Sequence, residues 1–282
     1  MSDAIAVIGS GTMGAGIAQV AATTGFDVIL VDRSPELAEA GRTRIESQLN
    51  RQVAKGKLTQ DDAAGTLARI APTVGYDRLA DVTVVIEAVF EDLDTKRDVI
   101  QAVGAATQPG TLFATNTSSI SITRLASYHP RPAEFAGLHF FNPVPVLPLV
   151  ELIQAEQTAS STLDRLESLA TRLGKTPVRV SDSPGFVVNR VLIPMINEAI
   201  LCLEAGVATR EAIDATMKLG ASHPMGPLEL ADMIGLDVVL SIMDVLHRDF
   251  GDDKYRASVL LRRLVAAGKL GRKSGEGFYV HS

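Results

Sequence analysis

Short apolar runs alternate with helical periodicity through the first two thirds of the chain. AIAVI, DVILVD, TVVIEAV, TLFATN, FAGLHF and PVRVS read as strands, and the segments between the early ones have helical composition. That alternation predicts an α/β, doubly wound and mainly parallel sheet with crossover helices. After SDSPG the pattern changes, and from Phe186 onward almost everything has helical periodicity, broken near EAGVAT, SHPMGP and FGDDK. Two domains follow: residues 1–183, with a helical arm at about 35–69, and a smaller all-helical domain at 184–282. Pro184 suits the first turn of a helix, with Asp182 or Ser183 as its N-cap. No internal repeat or low-complexity segment is present in the sequence.

Composition narrows the class. With 282 residues, 46% of them hydrophobic and 21% charged, the chain can bury a sizeable core. A net charge of −6 argues against a general nucleic-acid or anionic-membrane binder, but leaves room for an anionic small ligand held by local basic groups. The single cysteine, Cys202, lies in IPMINEAILCLEAG and reads as a buried structural thiol. No apolar run approaches the roughly 18 residues of a membrane span. The first strand begins at Ala4, which leaves no room for a signal or transit peptide, so a cytoplasmic protein is expected.

The first strand runs into GSGTMG, a G-x-G-x-x-G turn made by Gly9, Gly11 and Gly14. Gly9 permits the tight turn, Gly11 lets the backbone approach a pyrophosphate, and Gly14 lets helix and strand pack closely. The helix beginning near Thr12 and Met13 directs its N–H groups at that anion. The next strand ends in Asp32, eighteen residues past Gly14. A carboxylate there binds ribose hydroxyls and repels a 2′-phosphate, which favours NAD over NADP, although Arg33 beside it softens the choice. The bland alternative is a glycine-rich turn and a strand-end acid with no ligand.

Between Pro35 and Arg69 lie Arg42, Arg44, Arg51, Lys55 and Lys57. They form either a solvated helical face or a basic arm that meets phosphates. EAVFEDLDTKRDV follows a strand and opens a helix, which places Glu91 and Lys96 on the switch-point side of the sheet. TNTSS follows TLFA, so Asn116 and Ser118 should emerge at the strand ends where open α/β sheets bind ligands. Ser and Thr clusters also occur in loops for turn chemistry alone.

Of the five histidines, His129 and His281 read as surface residues, His247 lies on a helical pattern near charges, and His223 sits in a turn. His139 ends the strand FAGLH. The prolines of NPVPVLP force an extended connection, so that LVELI can return beside that strand with Glu151 in it. A carboxylate among Val150, Leu152 and Ile153 costs several kcal/mol unless it has a partner. Accepting from one imidazole N–H, it would fix the tautomer and raise the basicity of the other nitrogen. Alcohol oxidation needs such a base while hydride leaves the same carbon.

HFFNPVPVLPLVE, GSGTMGAGIA, TNTSSISI, DSPGFVVNR, HPMGPLELAD and GRKSGEGFY together closely resemble the 3-hydroxyacyl-CoA dehydrogenases, nearest the stand-alone bacterial 3-hydroxybutyryl-CoA branch. The resemblance spans nearly the whole chain. It implies a Rossmann-like first domain, NAD as cofactor, no metal, and oxidation of (S)-3-hydroxyacyl-CoA to 3-oxoacyl-CoA or the reverse, as in β-oxidation or butanoate metabolism. His139 would be the general base and Glu151 its orienting acid, with Ser118 and Asn189 binding the substrate oxygen. Gly9, Gly11, Gly14 and Asp32 would bind NAD, with Glu91, Lys96, Asn142 and Lys273 completing that site. For the CoA contacts, Gln48 stands where the family has a serine, and Lys55 matches its lysine. The resemblance also implies a homodimer joined through the helical domain, for which PLELADMIGLDVVLSIM carries surplus apolar residues. Both a short acyl chain and a 3-hydroxyadipyl group fit.

Asn189 lies early in the helix after Pro184, and Pro194 five residues on should bend that helix. Such a bend would aim the helix start at the interdomain cleft. Two other functions compete: a dehydrogenase of a hydroxy acid or sugar acid without CoA, and a nucleotide-binding protein that has lost catalysis. Retention of both His139 and Glu151 speaks against the latter.

Overall fold

The computed structural model describes residues 4–281, and these divide between Asp182 and Ser183 into two compact units. The first contains β1 (Ala4–Ile8), α1 (Thr12–Thr23), β2 (Asp27–Asp32), α2 (Pro35–Ala54), α3 (Gln60–Ala68), β3 (Ile70–Val74), β4 (Val84–Glu87) and α4 (Leu93–Ala106). It continues with β5 (Leu112–Thr115), α5 (Ile122–Ala126), β6 (Phe135–Phe140), β7 (Leu149–Gln154), α6 (Ser160–Arg172) and β8 (Thr176–Ser181). The strands form one sheet in the order β3-β2-β1-β4-β5-β6-β7-β8. Every pairing is parallel except β6 with β7. The chain reverses direction beside β1, the switch point of a doubly wound sheet.

The central strands are buried on both faces, which explains why Ile5, Val7, Leu30 and Ile86 come from near-continuous apolar runs. The predicted arm is α2 and α3. Ala38, Gly41, Ile45 and Leu49 recur at helical spacing along α2 and are buried, so this segment is seated on the domain core while its basic residues face outward. β3 carries no strand signal in the sequence because Pro72 interrupts it. The proline is accommodated because β3 is an edge strand bonded only to β2.

The second unit contains α7 (Val188–Glu204), α8 (Arg210–Gly220), α9 (Pro227–Ile234), α10 (Leu236–Phe250) and α11 (Val259–Ala266). Ile193, Ile196, Ile200, Leu228, Leu236, Val239 and Met243 form its core. Two buried aspartates close it. Asp214 accepts from the Leu228 and Glu229 N–H groups and from the Tyr279 hydroxyl. Asp232 accepts from the N–H groups of Phe278 and Tyr279 and pairs with His281 Nε2 at 2.8 Å. The C-terminal GRKSGEGFY motif is therefore tied down by carboxylates on α8 and α9. Gly277 is required there, since a Cβ would lie 2.1 Å from Asp232 Oδ1.

Several sequence expectations are corrected. Pro184 does not start a helix: α7 begins at Val188, after a turn in which Gly185 and Phe186 have φ of 73° and 49°. Asp182 caps a different helix, accepting from Ser121 Oγ and Thr123 N at the start of α5. Cys202 is exposed, because the buried stripe of α7 runs through Ile193, Ile196, Asn197 and Ile200 and Cys202 lies off it. Neither His129 nor His281 is a free surface residue. His281 is drawn to Asp232, and His129 is buried against the rings of Phe113 and Phe135. Pro194 lies inside α7, which continues through it as one helix.

Burial holds the His129 imidazole below its ordinary value of 6.5. Its Nδ1 engages the Arg131 backbone, while no hydrogen bond reaches Nε2. A histidine kept neutral by folding contributes its stability fully above about pH 6.5. That contribution is lost as pH falls from 6.5 through the depressed value, because the unfolded chain takes up the proton first. Thermal melts across pH 5–7.5 should show wild-type stability declining over the acid half of this range. In His129→Asn, which keeps a polar group near Nδ1 and cannot titrate, the decline should be shallower; parallel curves would refute the assignment.

Candidate active site

The carboxyl end of β1 passes into the glycine-rich turn. Gly9 has φ of 98°, and its N–H donates to Val31 O, which locks the turn to β2. At Gly14 a Cβ would stand 1.7 Å from Gly9 O, so only glycine lets α1 leave the strand at this angle. A Cβ at Gly11 would meet nothing within 4 Å, because the turn opens there into a cleft of about 880 Å³. Thr12, Met13, Asp32, Arg33, Tyr76 and Phe90 help line that cleft. Gly11 is the N-cap of α1 and supplies no capping side chain, whereas Ser34 and Asp92 cap α2 and α4.

Asp32 Oδ2 accepts from Ser10 N and Oγ at 2.8 and 2.7 Å, and Oδ1 accepts from Arg33 N at 2.7 Å. Burial pushes this carboxyl up, but the Ser10 and Arg33 donors outweigh it, and the group lies below its ordinary value. Each oxygen retains acceptor capacity for a diol. Ser10 is itself held by α2: its hydroxyl reaches Leu37 O at 2.7 Å, and Arg44 Nη1 reaches Ser10 O at 3.0 Å. An uncapped helix start beside an open glycine and an ionised strand-end acid fits a dinucleotide.

Farther along the strand ends, β6 and β7 bring His139 and Glu151 directly opposite one another in their antiparallel register. Cross-strand neighbours share a sheet face. His139 Nδ1 lies 2.9 Å from Glu151 Oε2, the two residues being 6% and 1% exposed. The carboxylate accepts the Nδ1 proton, which assigns the basic role to Nε2. The Phe141 ring lies 4.5 Å from the imidazole, centroid to centroid. Between the two strands, the exposed Asn142 precedes Pro143 in a cis peptide bond. Lys175, which the sequence analysis does not single out, holds this connection from beneath through the carbonyls of Val144 and Leu147. Burial lowers its ammonium from the ordinary value.

A second polar network lies under the ends of β4 and β5. Lys96 Nζ reaches Glu87 Oε1 at 2.7 Å and Glu91 Oε2 at 3.3 Å. Glu91 Oε1 accepts from Thr117 Oγ1 at 2.6 Å, from Ser118 N at 2.8 Å and from Ser119 N at 3.2 Å. Burial pushes the Glu91 carboxyl up; the Lys96 charge and the Thr117 and Ser118 donors outweigh it and bring the group below its ordinary value. Asn116 turns inward, its Oδ1 accepting from Phe140 N at 2.8 Å, the residue after His139.

The structure thus gathers Gly9, Gly11, Thr12, Met13 and Asp32 around one cleft, with Gly14 buried behind them in α1, and sets Glu91, Asn116, Ser118, His139, Asn142 and Glu151 at or beside the ends of β4 to β7, with Lys96 near the start of α4. Lys96 is enclosed by carboxylates, and Asn116 is engaged by backbone. Gln48 lies on α2 and is half-buried, and Lys55, exposed, is the C-cap of that helix seven residues on. In the second unit, Asn189 is the second residue of α7, and Lys273 pairs with Asp237 at 2.5 Å. Glu87 and Thr117 are missed by sequence reasoning. Inside VVIEAV, Glu87 looks like a strand residue, although its charge in an apolar run was a usable signal. The described residues contain no cluster of His, Cys, Asp and Glu able to hold a metal.

A family profile described as 3-hydroxyacyl-CoA dehydrogenase, NAD binding domain, matches residues 4–183, and that of the C-terminal domain matches 185–281. The probable 3-hydroxybutyryl-CoA dehydrogenase of Deinococcus radiodurans is 53% identical over 275 residues, 98% of this chain and 99% of its own. The 3-hydroxybutyryl-CoA dehydrogenase of Clostridioides difficile is 49% identical over 278 residues, 99% of each chain. The crystal structure of (S)-3-hydroxybutyryl-CoA dehydrogenase from Ralstonia eutropha superposes with a TM-score of 0.97 at 49% identity, covering 100% of both chains. By sequence and by fold, the chain belongs to the 3-hydroxyacyl-CoA dehydrogenase family.

Proposed function

We propose that the protein is an NAD-dependent dehydrogenase that interconverts (S)-3-hydroxyacyl-CoA and 3-oxoacyl-CoA thioesters, with 3-hydroxybutyryl-CoA and acetoacetyl-CoA as its pair. The observation that carries this is the buried His139–Glu151 contact at 2.9 Å, set at strand ends in the same sheet as a dinucleotide turn. When bound, NAD supplies the hydride acceptor. Gly9, Gly11, Thr12, Met13, Gly14 and Asp32 would hold its pyrophosphate and adenosine, and Glu91, Lys96, Asn116, Asn142 and Lys273 would border the other half.

His139 Nε2 removes the hydroxyl proton in oxidation and returns it in reduction, while Glu151 keeps the ring in one tautomer and stabilises the imidazolium. Ser118 and Asn189 would hold the substrate oxygen. The carboxylate hub of Glu91 supports the serine role, because it anchors the backbone on both sides of the Ser118 peptide. Gln48 on α2 and Lys55 at its C-cap would meet the CoA moiety. Among the described residues no helix is long and apolar enough to cross a membrane, and the cytoplasm is the compartment we propose.

A dimer through the helical unit would cover Val191, Met233 and Val238, which lie exposed on α7, α9 and α10. Sedimentation equilibrium should give twice the chain mass of 29.9 kDa, and Val191→Glu should shift the mass toward one chain. A wild type sedimenting as one chain would sink the dimer.

Purified protein should oxidise NADH on addition of acetoacetyl-CoA, with little turnover of free acetoacetate or of NADPH. His139→Gln and Glu151→Gln should each lower kcat on the order of 10²- to 10⁴-fold with NADH affinity retained. Turnover of free hydroxy acids without CoA would favour the non-CoA alternative, and undiminished kcat in either variant would exclude the assigned proton path.

A further inference from the structure

Glu87 lies at the end of β4 and is 0% exposed, beneath the network just described, and the dehydrogenase chemistry assigns it no part. Its oxygens meet only donors. Oε1 accepts from Lys96 Nζ and Val89 N, both at 2.7 Å, and Oε2 accepts from Thr115 Oγ1 at 2.6 Å. The Thr115 oxygen also faces Thr117 N at 3.3 Å, which leaves its hydroxyl hydrogen for Glu87. Glu87 is thus held by an ammonium, a peptide N–H and a hydroxyl, the donor set that an acceptor-only carboxylate takes. Glu91 is likewise met by donors on both oxygens. Two carboxylates therefore share one ammonium, and the triad retains one negative charge.

The placement of that charge is asymmetric. Lys96 is 1% exposed at its side chain and Glu91 is 36% exposed. The cation is walled in, and of the two carboxylates that share it Glu91 is the solvent-accessible one, in the connection that follows β4. In a doubly wound sheet the half of the dinucleotide beyond the pyrophosphate is read there. The oxidised nicotinamide ring carries a positive charge and the reduced ring none. A fixed negative charge beside the ring discriminates between the two redox states in a way that hydrogen bonding to the carboxamide or ribose does not.

We propose that Glu87 is a positioning residue that anchors Lys96 and keeps it from neutralising Glu91, so that the Glu87–Lys96–Glu91 triad biases the bound cofactor toward NAD⁺. The assignment rests on the dehydrogenase reading above. It accounts for the burial of Lys96 and for the second, fully buried glutamate that holds it. Without Glu87, Lys96 would pair with Glu91 alone and the site would be neutral.

The test is the ratio of dissociation constants for NAD⁺ and NADH, measured on the full chain by calorimetry and by NADH fluorescence. Glu87→Gln is isosteric and should raise Kd(NAD⁺)/Kd(NADH) on the order of tenfold, which raises the bound couple's potential by about 30 mV. Thr115→Val removes a hydrogen bond to Glu87 and no charge, and should leave the ratio unchanged. Should Glu87→Gln fail to fold, Glu91→Gln removes the same charge from the other side of Lys96 and should move the ratio in the same direction. A loss of affinity equal for both forms, or a Thr115→Val shift matching that of Glu87→Gln, overturns the proposal. Wild-type protein that binds neither form overturns this proposal and the dehydrogenase reading together.

Discussion

The pairing of His139 with Glu151 is the constraint on which the rest of the first unit depends. An ionised carboxylate without a partner in that position would cost several kcal/mol. The cost is offset because an antiparallel strand pair sets the two residues face to face in register. A slip of one residue would turn Glu151 to the opposite face of the sheet and leave both groups buried and unsatisfied. The register is therefore held from several directions. The proline-rich connection limits how β7 can return, Lys175 holds that connection through two carbonyls, and Asn116 ties Phe140 to the end of β5. The single antiparallel pairing of an otherwise parallel sheet is also where this pair is set face to face.

A second polar cluster supports the neighbouring strand ends by different means. Glu91 helps orient residues 117–119 by accepting from hydroxyls and peptide N–H groups, each such bond to a charged acceptor being worth about 1.5–3 kcal/mol. Lys96 and Glu87 keep that carboxylate in place from below. The two clusters meet at the ends of β5 and β6, so the loop bearing Ser118 and the strand bearing His139 are positioned by neighbouring networks. Half-satisfied versions of either would be worse than an apolar core, which makes both intolerant of single changes.

Much of this was legible from residue order. The strand-turn-helix pattern around GSGTMG, the acid ending the second strand and the strand-proline-strand passage from His139 to Glu151 all carry local chemistry that permits few structures. β3 was not legible, since a proline in five residues masks an edge strand that pairing to β2 alone rescues. His129 was misjudged because a histidine in a polar loop gives no sign that Phe113 and Phe135 close over it. Cys202 was misjudged because a helix with apolar residues on most sides does not reveal which stripe the core takes. Asp182 lies close in sequence to the following helix but caps α5, which precedes it by some sixty residues.

What the sequence by itself determined is the set of local conformations and the chemical inventory: a glycine turn able to meet a pyrophosphate, a carboxylate in an apolar strand, and a histidine at a strand end. Backbone sterics and hydrophobic periodicity act over a few residues, so they can be read in order. Only the tertiary structure decided the partners. Glu87 with Lys96, Glu91 with the loop after β5, and Lys175 with the proline connection are contacts between elements that crossover helices bring together. Burial then turns those contacts into requirements, because a charge enclosed by the sheet must find its partner across it.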